Sequence, residues 1–414
     1  MNILYKIKNL EVWQKNLLVL SIGCAFSSGS YTMIIPFLPI YLLTELNVPQ
    51  SEVAFWTGVL FSAAFFFGAV MSPYWGARAD KEGRKMMIMR AGVLLGLVYF
   101  ASGMVRTQYE LFICRTIHGA VMGFIPGSLA LMSDCMPKEK TGWGLGIIQA
   151  SIAGGGILGP LIGGVLADLF GMRASFFLAG SNILLASLAV KFLVKEDFTP
   201  RTIKKKSNFL INISLAFHNK ALFHMLILFF ALQACTLIMQ PLITVYVAEL
   251  MRIPPVQAVF AAGLVFSLAG LSTVLAAPYW GHRGQEQGYS KVLFITMIGA
   301  GLILSLQFFS SNIWMFGSVQ FLYGLMLAGI APAINANVVD NTHEGFRGRA
   351  FGLVTSFQQL GSMTGPLLGG VLGSFLTIKY VFVITAIILI VFGYSVKFAI
   401  NKNLYHINEP KQNI

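Results

Sequence analysis

Long apolar runs, each closed by charged or Gly- and Pro-containing turns, recur along the whole chain. They predict helices near 17–43, 54–75, 86–105, 109–131, 143–167 and 173–194, then near 221–247, 257–280, 290–310, 313–335, 349–373 and 378–400. Each run has about the 20 apolar residues that a helix needs to cross a bilayer. Twelve spans are thus expected, six on each side of a polar segment. The domain reading is a bundle over 1–194, a basic linker over 195–220 and a second bundle over 221–414. Within the linker, Phe209, Leu210, Ile213 and Phe217 recur at helical spacing, which fits either a short amphipathic surface helix or a plain tether.

The cations test the count. With the N-terminus inside, 24 of the 29 Lys and Arg residues fall on the cytoplasmic side. Only Arg106, Arg173, Arg252 and Lys379 fall outside, and Arg115 lies within a span. A missed span would scramble this asymmetry, so both termini are assigned to the cytoplasm. The run from 17 to 43 is too long for a signal-peptide core, so the first helix is expected to stay in the mature protein.

The halves repeat. Pro73-Tyr74-Trp75-Gly76 recurs at 278–281, and Pro36 with Tyr41 recurs as Pro241 with Tyr246, all at an offset of 205. The stretch 159–166, from Gly159 to Leu166, recurs at 365–372 at an offset of 206. Two homologous six-helix bundles in parallel orientation are implied, an arrangement associated with a central path of alternating access.

Composition narrows the function. Only 11% of the 414 residues are charged and mean hydropathy is +0.73, against about 25% charged in soluble domains. The net charge of +13 follows from the positive-inside bias, and no basic run exceeds Lys204-Lys205-Lys206, so no nucleic-acid partner is expected. Cys24, Cys114, Cys135 and Cys235 have no metal-ligand spacing, and neither a metal nor a cofactor is expected. No nucleotide-binding glycine loop is present, so an ion gradient should drive any transport. An embedded enzyme would need converging acids, bases or ligands, yet all sixteen acids lie in loops or at helix ends.

Three motifs carry chemistry. After the second helix, Gly76-Ala77-Arg78-Ala79-Asp80-Lys81-Glu82-Gly83-Arg84-Lys85 resembles the G-x-L-a-D-r-x-G-r-k signature of the major facilitator superfamily. The fourth helix adds Leu111, Arg115 and Gly119 at four-residue spacing, similar to that superfamily's buried-arginine motif. In the fifth, Gly155, Gly159-Pro160 and Gly163-Gly164 look like the motif of its drug:proton antiporters. The fold implied is an all-α integral membrane protein of twelve transmembrane helices in two pseudo-symmetric six-helix bundles.

The resemblance makes Gly76, Asp80, Gly83, Arg84 and Asp134 a conformational latch. In it, Asp80 caps the eleventh helix near Arg349, and Arg84 pairs with Asp134 at the end of the fourth. Without the resemblance, Gly83 is a tight turn, and Arg84 and Lys85 are headgroup contacts. The chain departs from the signature at Arg78, and Gln285 replaces the acid in the second copy, so the latch is expected to be one-sided.

The glycines at 155, 159 and 163 form one smooth helix face for close approach, with Pro160 beside it; helix packing alone would explain that. The resemblance adds a seal on the path, repeated by Gly365, Pro366, Gly369 and Gly370. Arg115 within the membrane costs roughly 2.5–3.5 kcal/mol, and His118 follows on the same face. Both are coupling candidates, with Asp134 as a second choice for proton carriage; His118 could equally be a neutral packing residue. Arg115 is expected to find neutral acceptors near Pro160, at Gln149 and among the hydroxyls from Ser27 to Thr32.

Scattered amides amid 34 Phe and 18 Met suggest a compliant cavity, with Tyr31, Gln149, Gln233, Tyr323 and Gln358 as candidate lining. The function expected is export of small hydrophobic or amphiphilic compounds by proton antiport, by a monomer in the bacterial cytoplasmic membrane. The alternative is a carrier for one metabolite or lipid-like amphiphile.

Overall fold

The computed structural model describes residues 11–137, 140–196, 219–342 and 344–402. No side-chain placement is described for Asp80, Gly142, Pro255, Val256 and residues 344–349. The amphipathic segment expected at 209–217 lies outside the described residues. Helices follow in order as α1 Val12–Thr32, α2 Leu38–Thr44, α3 Gln50–Glu82, α4 Arg84–Met104, α5 Gln108–Val121, α6 Phe124–Cys135, α7 Thr141–Phe170 and α8 Met172–Leu193. The second set is α9 Lys220–Ile238, α10 Ile243–Met251, α11 Val259–Gln287, α12 Tyr289–Ser305, α13 Ile313–Asp340, α14 Glu344–Phe375 and α15 Ile378–Asn401. Among the described residues there is no strand.

Ten of these helices or joined pairs are long and apolar enough to cross a membrane. The other two expected spans are also present as helix, the first as α1 and α2 on either side of a break at Met33–Phe37 and the eleventh as α14.

Three expected spans are broken. Pro36 and Pro241 cannot donate to the preceding turn, and the chain leaves helix at Met33–Phe37 and at Met239–Leu242. The third break, at Met122–Gly123, separates α5 from α6. The segment read as a loop after the second helix is mostly helix, since α3 runs on through Glu82. The turn narrows to Gly83, whose φ of 96° suits a residue without Cβ, and Gly288 repeats it at 88°.

The described residues group into two compact units. One falls within Met1–Asn47, Phe67–Lys204 and Val259–Ser267, the other within Val48–Phe66, Lys205–Ala258 and Leu268–Ile414. In the first, α1 packs along α7 and α4 along α8. In the second, α9 packs along α14 and α12 along α15, which are the same pairings one repeat later.

Candidate functional site

The glycine faces allow close helix contacts. In the first unit, a Cβ on Gly155 would overlap the Ala25 carbonyl, one on Gly159 the Thr32 hydroxyl and Gly29 carbonyl, and one on Gly163 the Met33 carbonyl. All three thus lie against the backbone of α1 and the turn after it. The Thr32 hydroxyl donates to the Ser28 carbonyl at 2.9 Å and lies 3.3 Å from the Gly155 carbonyl. In the second unit Gly361, Gly365 and Gly369 meet the carbonyls of Phe230, Ala234 and Ile238 on α9 in the same way.

Each face has a second side. Within the first unit, Gly164 would meet Val259 and Phe260, and Gly263 would overlap the Pro160 carbonyl. Within the second, Gly370 would meet Ala54, and Gly58 would overlap the Pro366 carbonyl. Beside these, the Ser267 hydroxyl donates to the Ile157 carbonyl at 2.6 Å and the Ser62 hydroxyl to the Met363 carbonyl at 2.6 Å. Sequence reading missed the serines, although Gly58 with Ser62 recurs as Gly263 with Ser267 at the offset of 205 already seen elsewhere. We predict that Ser62→Ala with Ser267→Ala destabilises the folded protein, since each lost bond is worth about 1 kcal/mol, and thermal unfolding of the purified protein measures the change.

At the turn after α3, Arg84 Nε lies 2.9 Å from Asp134 Oδ2, the pairing the motif implied. The backbone N–H groups of Arg84 and Lys85 donate to the two carboxylate oxygens of Glu196, each at 2.9 Å, and Lys85 Nζ donates to the Val194 carbonyl. Glu196 therefore caps the start of α4 from 111 residues away. Buried Asn16 holds the neighbouring residue in both directions, donating to the Lys195 carbonyl at 2.7 Å and accepting from its N–H at 3.0 Å. Neither Glu196 nor Asn16 stands out in the sequence, because their partners are distant along the chain. The Asp80 and Arg349 side chains lie outside the described ones. We predict that Arg84→Asp and Asp134→Arg each destabilise the folded protein and that the double charge swap recovers part of the loss, read by thermal unfolding as a double-mutant cycle.

Arg115 and His118 are both buried, and Arg115 Nη1 lies 3.4 Å from His118 Nδ1. The guanidinium carbon sits 5.9 Å from the centre of the Phe176 ring, while Nε and Nη2 have no hydrogen-bond partner. The expected acceptors are not used: Nε and Nη2 make no hydrogen bond, and Gln149 is exposed. Tyr31 and Tyr99 flank the imidazole, with ring centres at 6.0 and 5.2 Å. Of the other candidate lining residues, Gln233 and Gln358 are half-buried and Tyr323 is buried, all in the second unit.

The model of the Major Facilitator Superfamily matches residues 20–281 and 258–410. The multidrug resistance protein MdtG of Escherichia fergusonii is 32% identical over 380 residues, 91% of this chain and 92% of that protein. The MdtG of Proteus mirabilis is 32% identical over 378 residues, 90% and 93% of the two chains. Among solved structures, an inward-facing, occupied bacterial homologue of the human lysosomal transporter Spinster superposes with a TM-score of 0.80 at 12% identity, over 97% of this chain and all of that one. The nucleoside transporter NupG gives 0.77 at 15% identity, over 93% and 99%. The fold is thus that of multi-pass transporters, and the chain belongs to the Major Facilitator Superfamily.

Proposed function

We propose that this protein is a secondary active transporter that exports hydrophobic or amphiphilic compounds, multidrug efflux by proton antiport with alternating access. The observation that carries the reading is the paired glycine-proline face. Gly155, Gly159 and Gly163 of α7 against α1, and Gly361, Gly365 and Gly369 of α14 against α9, are seals of one design repeated at an offset of 206. Two like seals suit a carrier whose halves, 1–194 and 221–414, exchange positions about a central path while 195–220 tethers them. The MdtG relatives, named for multidrug resistance and aligned over nine-tenths of the chain, support drug-like cargo. The cation bias supports a bacterial cytoplasmic membrane with both termini inside, and the carrier needs no second copy to complete this path. Asp80, Arg84 and Asp134 act as the latch, and Arg115 with His118 as the coupling pair.

Everted membrane vesicles test the proposal. Vesicles holding the protein should accumulate several chemically unlike cationic and neutral dyes when a proton gradient is imposed, and a proton ionophore should abolish uptake. Accumulation that survives the ionophore overturns proton antiport, and accumulation of none of the dyes overturns multidrug export. Within the same assay, Asp80→Asn is expected to reduce uptake severalfold at matched abundance, while Gln285→Asn leaves it unchanged, because only the first copy of the turn carries the acid.

A further inference from the structure

The fourth span is broken and the tenth is not, although both carry the same punctuation. Gly123 and Pro126 recur as Gly329 and Pro332, yet α13 runs unbroken from Ile313 to Asp340. The register supplies a cause. Trp75 and Ala120 match Trp280 and Leu325 at an offset of 205, whereas Gly123 and Pro126 match at 206. The first half is therefore one residue shorter between Gly119 and Gly123 than the second half is between Gly324 and Gly329. Removing one residue from a helix turns everything beyond it by about 100° and draws it in by about 1.5 Å. A span that must keep both flanking faces on their neighbours can absorb that only by leaving helix.

Leaving helix inside a membrane strands carbonyls, which must find donors from the protein. The Met122 N–H reaches back to the Gly119 carbonyl at 3.2 Å. The next two carbonyls are taken by side chains. The Trp75 indole N–H donates to the Ala120 carbonyl at 2.7 Å, and Arg90 Nη2 donates to the Val121 carbonyl at 3.4 Å. The Arg90 guanidinium also stacks 3.3 Å above the centre of the Trp75 ring, and its Nε and Nη1 make no hydrogen bond. A cation at the C-terminal end of α5 further suits the helix dipole there. In the second unit the Trp280 indole donates to the Leu325 carbonyl at 2.7 Å, but Ile295 stands where Arg90 would be. The indole bond occurs with either helix form, while the cation occurs only with the break.

We propose that Met122–Gly123 is a hinge in the fourth span held open by the Trp75–Arg90 pair, and that Arg90 is a positioning residue for the Arg115–His118 face one turn before it. The second clause rests on the transport reading above; the first does not. Trp75 lies on α3 before the turn at Gly83, and Arg90 lies on α4 after it. A movement of that turn therefore reaches α5 through this pair, and α5 carries Arg115 and His118 against Tyr31 and Tyr99.

The test is a spin-label distance across the span, with Tyr109→Cys and Ser133→Cys in a background where Cys24, Cys114, Cys135 and Cys235 are replaced by Ser. Both positions are exposed and lie near opposite ends of the span. The wild-type distance should fall short of the roughly 36 Å of a continuous helix between them. Arg90→Ile, the residue of the second half, should lengthen it, as should insertion of one Ala after Val121. Arg90→Lys, which keeps a charged donor, should stay near wild type. In vesicles, Arg90→Ile should lower dye efflux about tenfold with a displaced pH profile, and Arg90→Lys should restore both. An unchanged distance in Arg90→Ile overturns the hinge. A lengthened distance with wild-type efflux and pH profile overturns the positioning role. Absence of efflux from the wild type overturns the transport reading and leaves the distance comparison standing.

Discussion

Gly159→Leu is expected to bring efflux to background while the protein stays inserted and abundant. Gly159 sits where the Thr32 hydroxyl and the Gly29 carbonyl and Cα leave no room for a Cβ. The nearest obstacles include α1 backbone, which no rotamer change can move aside. Overpacking of this kind costs about 1–3 kcal/mol, and a middle value of about 2 kcal/mol displaces a two-state equilibrium about thirtyfold. The flanking glycines at 155 and 163 also lie on carbonyls, so α7 cannot tilt about one contact to accommodate the new side chain. It must separate from α1 along the whole face, opening a leak or trapping one conformation. Gly365→Leu should behave alike, because Gly365 lies on the Ala234 carbonyl as Gly159 lies on that of Gly29. Leu188→Ala, by contrast, alters a side chain on α8 that is 49% exposed and should leave efflux near wild type. Normal efflux by Gly159→Leu at matched abundance would show that the close approach plays no part in turnover.

The helices were legible because apolar content alone identifies a span in a bilayer; their interruptions were not. Pro36 and Pro241 were visible as repeat markers, but the runs through them are uniformly apolar, so hydropathy reads straight across both breaks. The break at Met122–Gly123 has no proline within it and follows from a one-residue difference between the halves, visible only once both are aligned through 119–126. Arg84 with Asp134 was legible through the resemblance, since the motif names both partners. Glu196 and Asn16 were not, because a cap delivered from more than a hundred residues away leaves no local pattern. Arg115 was recognisable as a charge inside a span, whereas its surroundings depend on side-chain direction. The face of α5 that carries both it and His118 turns toward Phe176, while Gln149 is exposed.

His118→Gln is expected to uncouple efflux from the proton gradient while leaving the fold intact. Arginine has only donors, so at the 3.4 Å contact His118 Nδ1 must present its lone pair to Arg115 Nη1, with the ring proton on Nε2. A second proton can enter at Nδ1 only if Arg115 withdraws. Protonation and the position of the guanidinium therefore exclude one another, which is the property a coupling site requires. Arg115 has somewhere to turn, since its Nε and Nη2 carry unused donors and the Phe176 ring lies within 5.9 Å. Glutamine at 118 can accept from Arg115 through its amide oxygen, preserving the contact, but it cannot take up a proton. In proteoliposomes, substrate movement down its own gradient should therefore persist in His118→Gln, while exchange driven by an imposed pH step should fall at least tenfold and its pH dependence flatten. Arg115→Lys should lose the pH response as well, because a single ammonium replaces the planar fork that faces His118 and the aromatic ring. If His118→Gln keeps both the driven exchange and the pH profile, His118 is a packing residue between Tyr31 and Tyr99, and the proton must be carried by an acid at a helix end, Asp134 first.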